Sequence, residues 1–130
     1  MRILLDTHVW LWSLTAPEKL GVEARALLSD PSNTLLLSAA SAWEMAIKYA
    51  LGRLPLPEPP ERFVSDRLVR DGVQALPVDL KHALHVATLP DHHRDPFDRL
   101  LVAQSQIEDL PLLTPDEQLA AYDVRIARAV

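Results

Sequence analysis

Four acids stand where a carboxylate is costly unless it finds a partner: Asp6, Glu44, Asp98 and Asp116. Asp6 directly follows the apolar run Ile3-Leu4-Leu5. Glu44 interrupts an apolar helical pattern, Asp98 lies near the start of another, and Asp116 comes just after Leu112-Leu113. Carboxylates brought together repel one another, and burial makes each charge dearer unless something cationic joins them. Four acids converging on one edge of a sheet would therefore form a site for a hard divalent cation, which takes oxygen ligands. The chemistry such a cation supports is hydrolysis, because it acidifies water and neutralises charge on a leaving oxygen.

Each acid also has a purely structural explanation. Asp6 is a favoured helix N-cap, and so is Thr7 beside it. If Thr7 caps, Asp6 is free for a cation. Ser41-Ala-Trp-Glu44 matches a capping box, and Glu44 stands four residues before Lys48, the spacing of a helical ion pair. Ser38 is an equally good cap, and a helix starting there puts Glu44 in its second turn, at the border of the apolar stripe. Asp95 before Pro96 reads as an N-cap with proline at the first helical position, and metal support is its secondary role. Asp98 then shares a face with Leu101, Val102 and Ser105 and points toward packed structure. Thr114-Pro-Asp116-Glu117 reads as a helix start capped by Thr114 and boxed by Glu117. Asp116 is left for a ligand role or for the helix dipole.

The elements that must position these residues alternate between strand and helix. Arg2–Leu5, Thr34–Leu37, Val73–Leu76 and Leu112–Leu113 read as short buried strands, with an edge strand within Val124–Val130. Helical patterns cover His8–Leu14, Glu18–Leu28, Ala39–Leu51, Glu61–Asp71, Leu80–Leu89 and Phe97–Ile107, with a turn at Glu117–Tyr122. In Ala39–Leu51 the apolar residues Trp43, Ala46, Ile47, Ala50 and Leu51 recur at helical spacing, which predicts a buried stripe. Arg53–Pro60 holds four of the eleven prolines and reads as a loop. This alternation predicts an α/β sandwich around a parallel sheet, whose ligands lie beyond the carboxyl ends of the strands.

At 130 residues the chain suits one domain spanning 1–130 with a real core. It has no cysteine, so disulfides, thiolate metal sites and cysteine nucleophiles are excluded. A reducing, cytoplasmic setting agrees with this. No stretch approaches the roughly 18–20 apolar residues of a membrane span, nor is there a long apolar leader. The expectation is a soluble, unprocessed protein that does not engage membranes. The net charge of −5 argues against holding nucleic acid by bulk electrostatics. A local cation site, with Lys48, Arg53, Arg94 and Arg99 close to the acids in sequence, would still attract phosphate.

No pair of the five histidines has the HExxH spacing of a zinc protease, and there is no P-loop, GxSxG or GxGxxG. His82 and His85 read as packing or surface residues. His92 and His93, beside Arg94, read either as phosphate contacts or as a polar loop. Trp10, Trp12 and Trp43 sit on apolar helices and are expected to pack in a core or a dimer rather than stack on bases.

Four segments in this order resemble the PIN-domain ribonucleases, and most closely the VapC-type toxins of toxin–antitoxin pairs. They are Leu4-Leu5-Asp6-Thr7-His8, Ser41-Ala-Trp43-Glu44-Met-Ala-Ile-Lys48, Asp95-Pro-Phe-Asp98-Arg-Leu-Leu-Val-Ala-Gln104 and Leu113-Thr114-Pro-Asp116. The resemblance covers nearly the whole chain. It implies a three-layer α/β/α sandwich with a central, mainly parallel sheet of four to five strands. It implies Asp6, Glu44, Asp98 and Asp116 as metal-binding acids, with Thr114 matching a supporting hydroxyl and Asp95 an acid found in some subgroups; Thr7, beside Asp6, is a further expected supporting residue. It further implies Mg²⁺ or Mn²⁺ dependence, RNA as substrate, frequent homodimers and an inhibiting antitoxin protein. Arg94 and Arg99 are the expected phosphate contacts, from their proximity. Two rival readings remain: an α/β interaction module whose acids are only caps, and a phosphohydrolase with Asp6 as nucleophile. The second is disfavoured because His8 stands where such enzymes carry a second aspartate.

Overall fold

The structure is a computed structural model and describes residues 1–130. Five strands are present: β1 Arg2–Leu5, β2 Thr34–Ser38, β3 Gln74–Leu76, β4 Leu112–Thr114 and β5 Ile126–Arg128. The six α-helices are α1 Thr7–Thr15, α2 Val22–Ser29, α3 Ala39–Ala50, α4 Pro60–Asp71, α5 Leu80–His85 and α6 Pro96–Glu108. Short 3₁₀ turns occupy Pro17–Lys19, Val86–Thr88 and Glu117–Ala121. No helix is long and apolar enough to cross a membrane.

The strands are all parallel, in the order β3-β2-β1-β4-β5. Alternate side chains go to opposite faces of a strand, and both faces of this sheet are apolar. Ile3, Leu5, Leu37 and Leu113 pack with Val9, Trp10, Ala24, Met45 and Phe63 on one face. Leu4, Leu36 and Leu112 pack with Leu101, Val102, Leu119 and Tyr122 on the other. The runs that read as continuous apolar strands are thus strands buried on both sides, and the expected three-layer α/β/α sandwich is the fold.

Three expectations need correction. Glu18–Leu28 is not one helix. The chain breaks at Leu20-Gly21, where the Gly21 N–H donates to the Ala129 carbonyl (2.8 Å) beside β5 instead of continuing a helical ladder. Leu80–Leu89 likewise tightens into a 3₁₀ turn after His85. Helix α3 is rotated from its expected orientation. Trp43, Ile47 and Leu51 are exposed, Trp43 by 61%, while Ala40, Ser41, Glu44 and Met45 face inward. The polar residues face inward because they line the end of the sheet.

Candidate functional site

Strands β1, β2 and β4 end in register, with Leu5 opposite both Leu37 and Leu113. Asp6, Ser38 and Thr114 therefore stand side by side at the carboxyl edge. The strand order reverses here, with β2 on one side of β1 and β4 on the other. That is the crevice where open α/β sheets bind ligands.

Asp6 is 3% exposed, and both of its carboxylate oxygens are engaged. Oδ1 accepts from the His8 backbone N–H (3.0 Å), so Asp6 itself caps α1. Oδ2 accepts from the Thr114 hydroxyl (2.7 Å). Burial pushes the Asp6 carboxyl up. Hydrogen bonds from His8 and Thr114, together with the charge of His8, outweigh that and hold it below the ordinary range. His8 is raised in turn, chiefly by its hydrogen bond to Asp6. Thr7 does not cap. Its hydroxyl donates to Ser41 Oγ (2.8 Å), pinning α1 to α3. Contrary to expectation, Thr7 does not free Asp6 from capping: Asp6 caps with one oxygen and keeps the other at the sheet edge.

Ser38 caps α3 by accepting from the Ala40 N–H, so the Ser41–Glu44 capping box does not form. Glu44 is 4% exposed, in the second turn, and its Oε2 accepts from Lys48 Nζ at 2.7 Å. That hydrogen bond raises the Lys48 pKa; burial opposes the rise, while the charges of Glu44, Asp95 and Asp98 add to it. The ammonium is therefore held over the same acidic edge.

Asp95 caps α6, its Oδ1 accepting from the N–H groups of Phe97 and Asp98 (2.8 and 3.2 Å), with Pro96 at the first helical position. Asp98 is pushed up to about 7, first by burial and then by the negative charges of Asp6, Asp95 and Glu44; His93 opposes the rise. Asp116 caps the 3₁₀ turn through the Gln118 N–H (2.9 Å). The expected box of Thr114 and Glu117 is absent. Thr114 Oγ1 accepts from the Asp116 N–H and donates to Asp6, while Glu117 pairs with Arg128 at the surface.

His93 reaches further into the site than the sequence reading allowed. Its Nε2 lies 2.9 Å from Asp116 Oδ2 and 3.4 Å from Asp98 Oδ2. Ligand atoms of His93, Asp98 and Asp116 fall within 4.8 Å of one another. Asp6 and Glu44 lie outside that tight group, although their charges bear on Asp98. A signal for His93 was available in the sequence: an imidazole two residues before a capping aspartate can accept that residue's backbone N–H.

The acids fit a hard cation on one observation. Asp98 is buried beside Asp6, Asp95 and Glu44, and burial first and then their negative charges push its carboxyl up to about 7. A divalent ion would relieve that, and carboxylate oxygens are the donors such ions take. The expected phosphate contacts divide. Arg94 is exposed at the rim of the acidic edge. Arg99 instead turns inward, donating to the carbonyls of Val86, Pro90 and His93 and to the Tyr122 hydroxyl, so it is a brace for that loop. His82 is fully buried between the Asp79 N–H and Glu108 and joins α5 to α6, as a packing residue. Trp43, expected to pack in a core or a dimer, lies exposed on this chain beside Glu44 with its ring edge-on to Phe97 (5.3 Å).

A family profile described as PIN domain matches residues 3–125. Ribonuclease VapC16 of Mycobacterium tuberculosis (strain ATCC 25618 / H37Rv) is 54% identical over 63 residues, which is 48% of this chain and 45% of that protein. The chain thus spans about half the length of this curated relative. Among solved structures, VapBC2 from Rickettsia felis bound to a promoter DNA fragment superposes with a TM-score of 0.74 at 14% identity, covering 100% of both chains. DNA-bound VapBC from Salmonella typhimurium gives 0.70 at 18% identity, covering 98% of each. At such identities these two structures speak for the fold.

Proposed function

Since the chain belongs to the PIN domain family, we propose that it is a metal-dependent ribonuclease, a VapC-like toxin restrained by a cognate antitoxin. Asp6 and Asp98 would be the principal holders of Mg²⁺ or Mn²⁺. Glu44 and Asp116 complete the shell of that ion or hold a second. The observation that carries this reading is the gathering of Asp6, Glu44, Asp98 and Asp116 at the reversal point of a parallel sheet, where burial and neighbouring charge push the Asp98 carboxyl up. When bound, the divalent ion supplies the Lewis acidity that activates water and neutralises charge on the cleaved phosphodiester.

The chain's own groups do the positioning. Thr114 fixes one Asp6 oxygen and the His8 N–H the other, so Asp6 presents its remaining lone pairs in a set direction. Lys48 donates to Glu44 and fixes the direction of its carboxylate within α3. Arg94, free at the rim, would meet the phosphate backbone of an RNA. The decisive measurement is cleavage of a mixed RNA pool with Mg²⁺ or Mn²⁺ by the wild type, Asp6→Asn and Asp98→Asn. Each variant is expected to lose about 100-fold or more, since even outer partners of metal ligands cost 10–100-fold. Full activity in both folded variants would sink the assignment.

The same reading supplies partners and setting: a small antitoxin protein, a second copy of the chain, the cytoplasm, and a single domain over 1–130. The structural relatives are described as VapBC bound to DNA. The apolar stripe left open on α3 suits a protein partner. The rival interaction module draws on the capping roles of Asp6, Asp95 and Asp116. It leaves buried Glu44 and the displaced titration of Asp98 without a purpose, and it predicts identical thermal melts with and without Mn²⁺.

A further inference from the structure

His93 is held from both ends of its ring. Its Nδ1 lies 3.0 Å from the Asp95 backbone N–H, which can only donate. Nδ1 is therefore the acceptor and carries no proton, and Nε2 bears the ring N–H. That N–H points at Asp116 Oδ2 (2.9 Å), with Asp98 Oδ2 3.4 Å away. A nitrogen that donates cannot also bind a metal. With Nδ1 engaged as an acceptor, freeing Nε2 would require an imidazolate. His93 thus sits between two carboxylates, where a bridging cation would sit, and fills the place with a donor.

Glu44 has a comparable fixture in Lys48 Nζ at 2.7 Å. Two of the four acids are therefore already matched by the chain itself. Asp6 and Asp98 are left as the pair whose oxygens have only longer contacts of that kind, His8 at 3.5 Å from Asp6 and His93 at 3.4 Å from Asp98.

We infer that His93 is a positioning residue that takes the place of a second cation between Asp98 and Asp116, so that the site holds one divalent ion. This rests on the metal-site reading above and sharpens it. Asp116 then acts as an anchored acceptor rather than as a direct ligand, and its direction is set by His93 and the Gln118 N–H.

The test is a calorimetric Mn²⁺ titration of the full chain, paired with Mg²⁺-titrated long-range ¹⁵N spectra of the histidine rings. The wild type is expected to bind one ion, and the His93 ring is expected to stay in its Nε2–H form at Mg²⁺ saturation. His93→Ala is expected to bind two, because the vacated space joins two carboxylates. His93→Gln, which keeps an amide donor, is expected to bind one. Two ions on the wild type, loss of the Nε2 proton on Mg²⁺ addition, or a folded His93→Ala that still binds one ion would each overturn the inference. If His93→Ala does not fold, the wild-type stoichiometry and the ring spectra decide. Asp6→Asn and Asp98→Asn separate the two ideas: unchanged Mn²⁺ binding in both would defeat the metal site itself.

Discussion

At Asp98 the proton is held up to about 7, and the sign of that shift is unusual for a carboxylate in a folded protein. Between about pH 4 and about 7 the folded state binds a proton that the unfolded state has already lost. Stability of the metal-free protein therefore falls as pH rises through that window and levels off above it. Asp6 works the other way. Its lowered carboxyl lends stability that is lost only as pH falls through the acid range. Asp98→Asn is accordingly expected to stabilise the metal-free protein at pH 8 by on the order of 1 kcal/mol, after allowance for solvent at a side chain that is 20% exposed. For a domain of this size that is a rise of roughly 4 °C in Tm. The same variant should lose the metal-induced gain, which for the wild type reaches about 2.7 kcal/mol at a hundredfold excess over Kd. Paired melts at pH 5 and 8, with and without Mn²⁺, read all of this. A metal-free Asp98→Asn that melts lower at pH 8 would count against the charge crowding described here.

Helix ends and loop braces decide where these acids point, and here the sequence was only partly legible. The strands, helix α3 with its Ser38 cap, and α6 with Asp95 and Pro96 could all be read, because apolar runs and capping residues are local signals. The inward face of α3 could not. Its Trp43, Ile47 and Leu51 stripe is the more apolar one, yet burial went to Ser41 and Glu44, which meet Thr7 and Lys48. Periodicity finds a stripe but does not say what lies opposite it. Arg99 was misread for a similar reason: proximity in sequence to acids said nothing about five oxygen atoms of its own loop and Tyr122. Two expectations follow for α6. Asp95→Ala should cost about 1–2 kcal/mol through loss of its cap, while Asp95→Asn, which still caps, should cost little in stability or RNA cleavage. Arg99→Lys should cost about 1–3 kcal/mol, because an ammonium cannot span carbonyls that a planar fork serves. Urea titration measures each. A strong loss of cleavage in a stable Asp95→Asn would restore Asp95 as a ligand.

Over the whole molecule, the all-parallel sheet brings distant parts of the chain to one edge, and α3 carries an apolar stripe away from that edge. The stripe has no charge among Trp43, Ala46, Ile47, Ala50 and Leu51. With a second copy as its occupant, Ile47→Glu should turn a dimer into a monomer in light scattering, with little change in the melt of the monomer itself. A wild type that is monomeric at high concentration would reject that use of the surface. A different consequence comes from the bond between Thr114 and Asp6, groups 108 positions apart. β1 lies at the middle of the sheet, yet its neighbour β4 is made after every α-helix of the fold. Until residues 112–116 have left the ribosome, Asp6 lacks the hydroxyl that orients it and the acids at 98 and 116 have no strand to meet. The order of synthesis thus bears on the site: the acids of a growing chain have no complete sheet edge to gather on until β4 arrives.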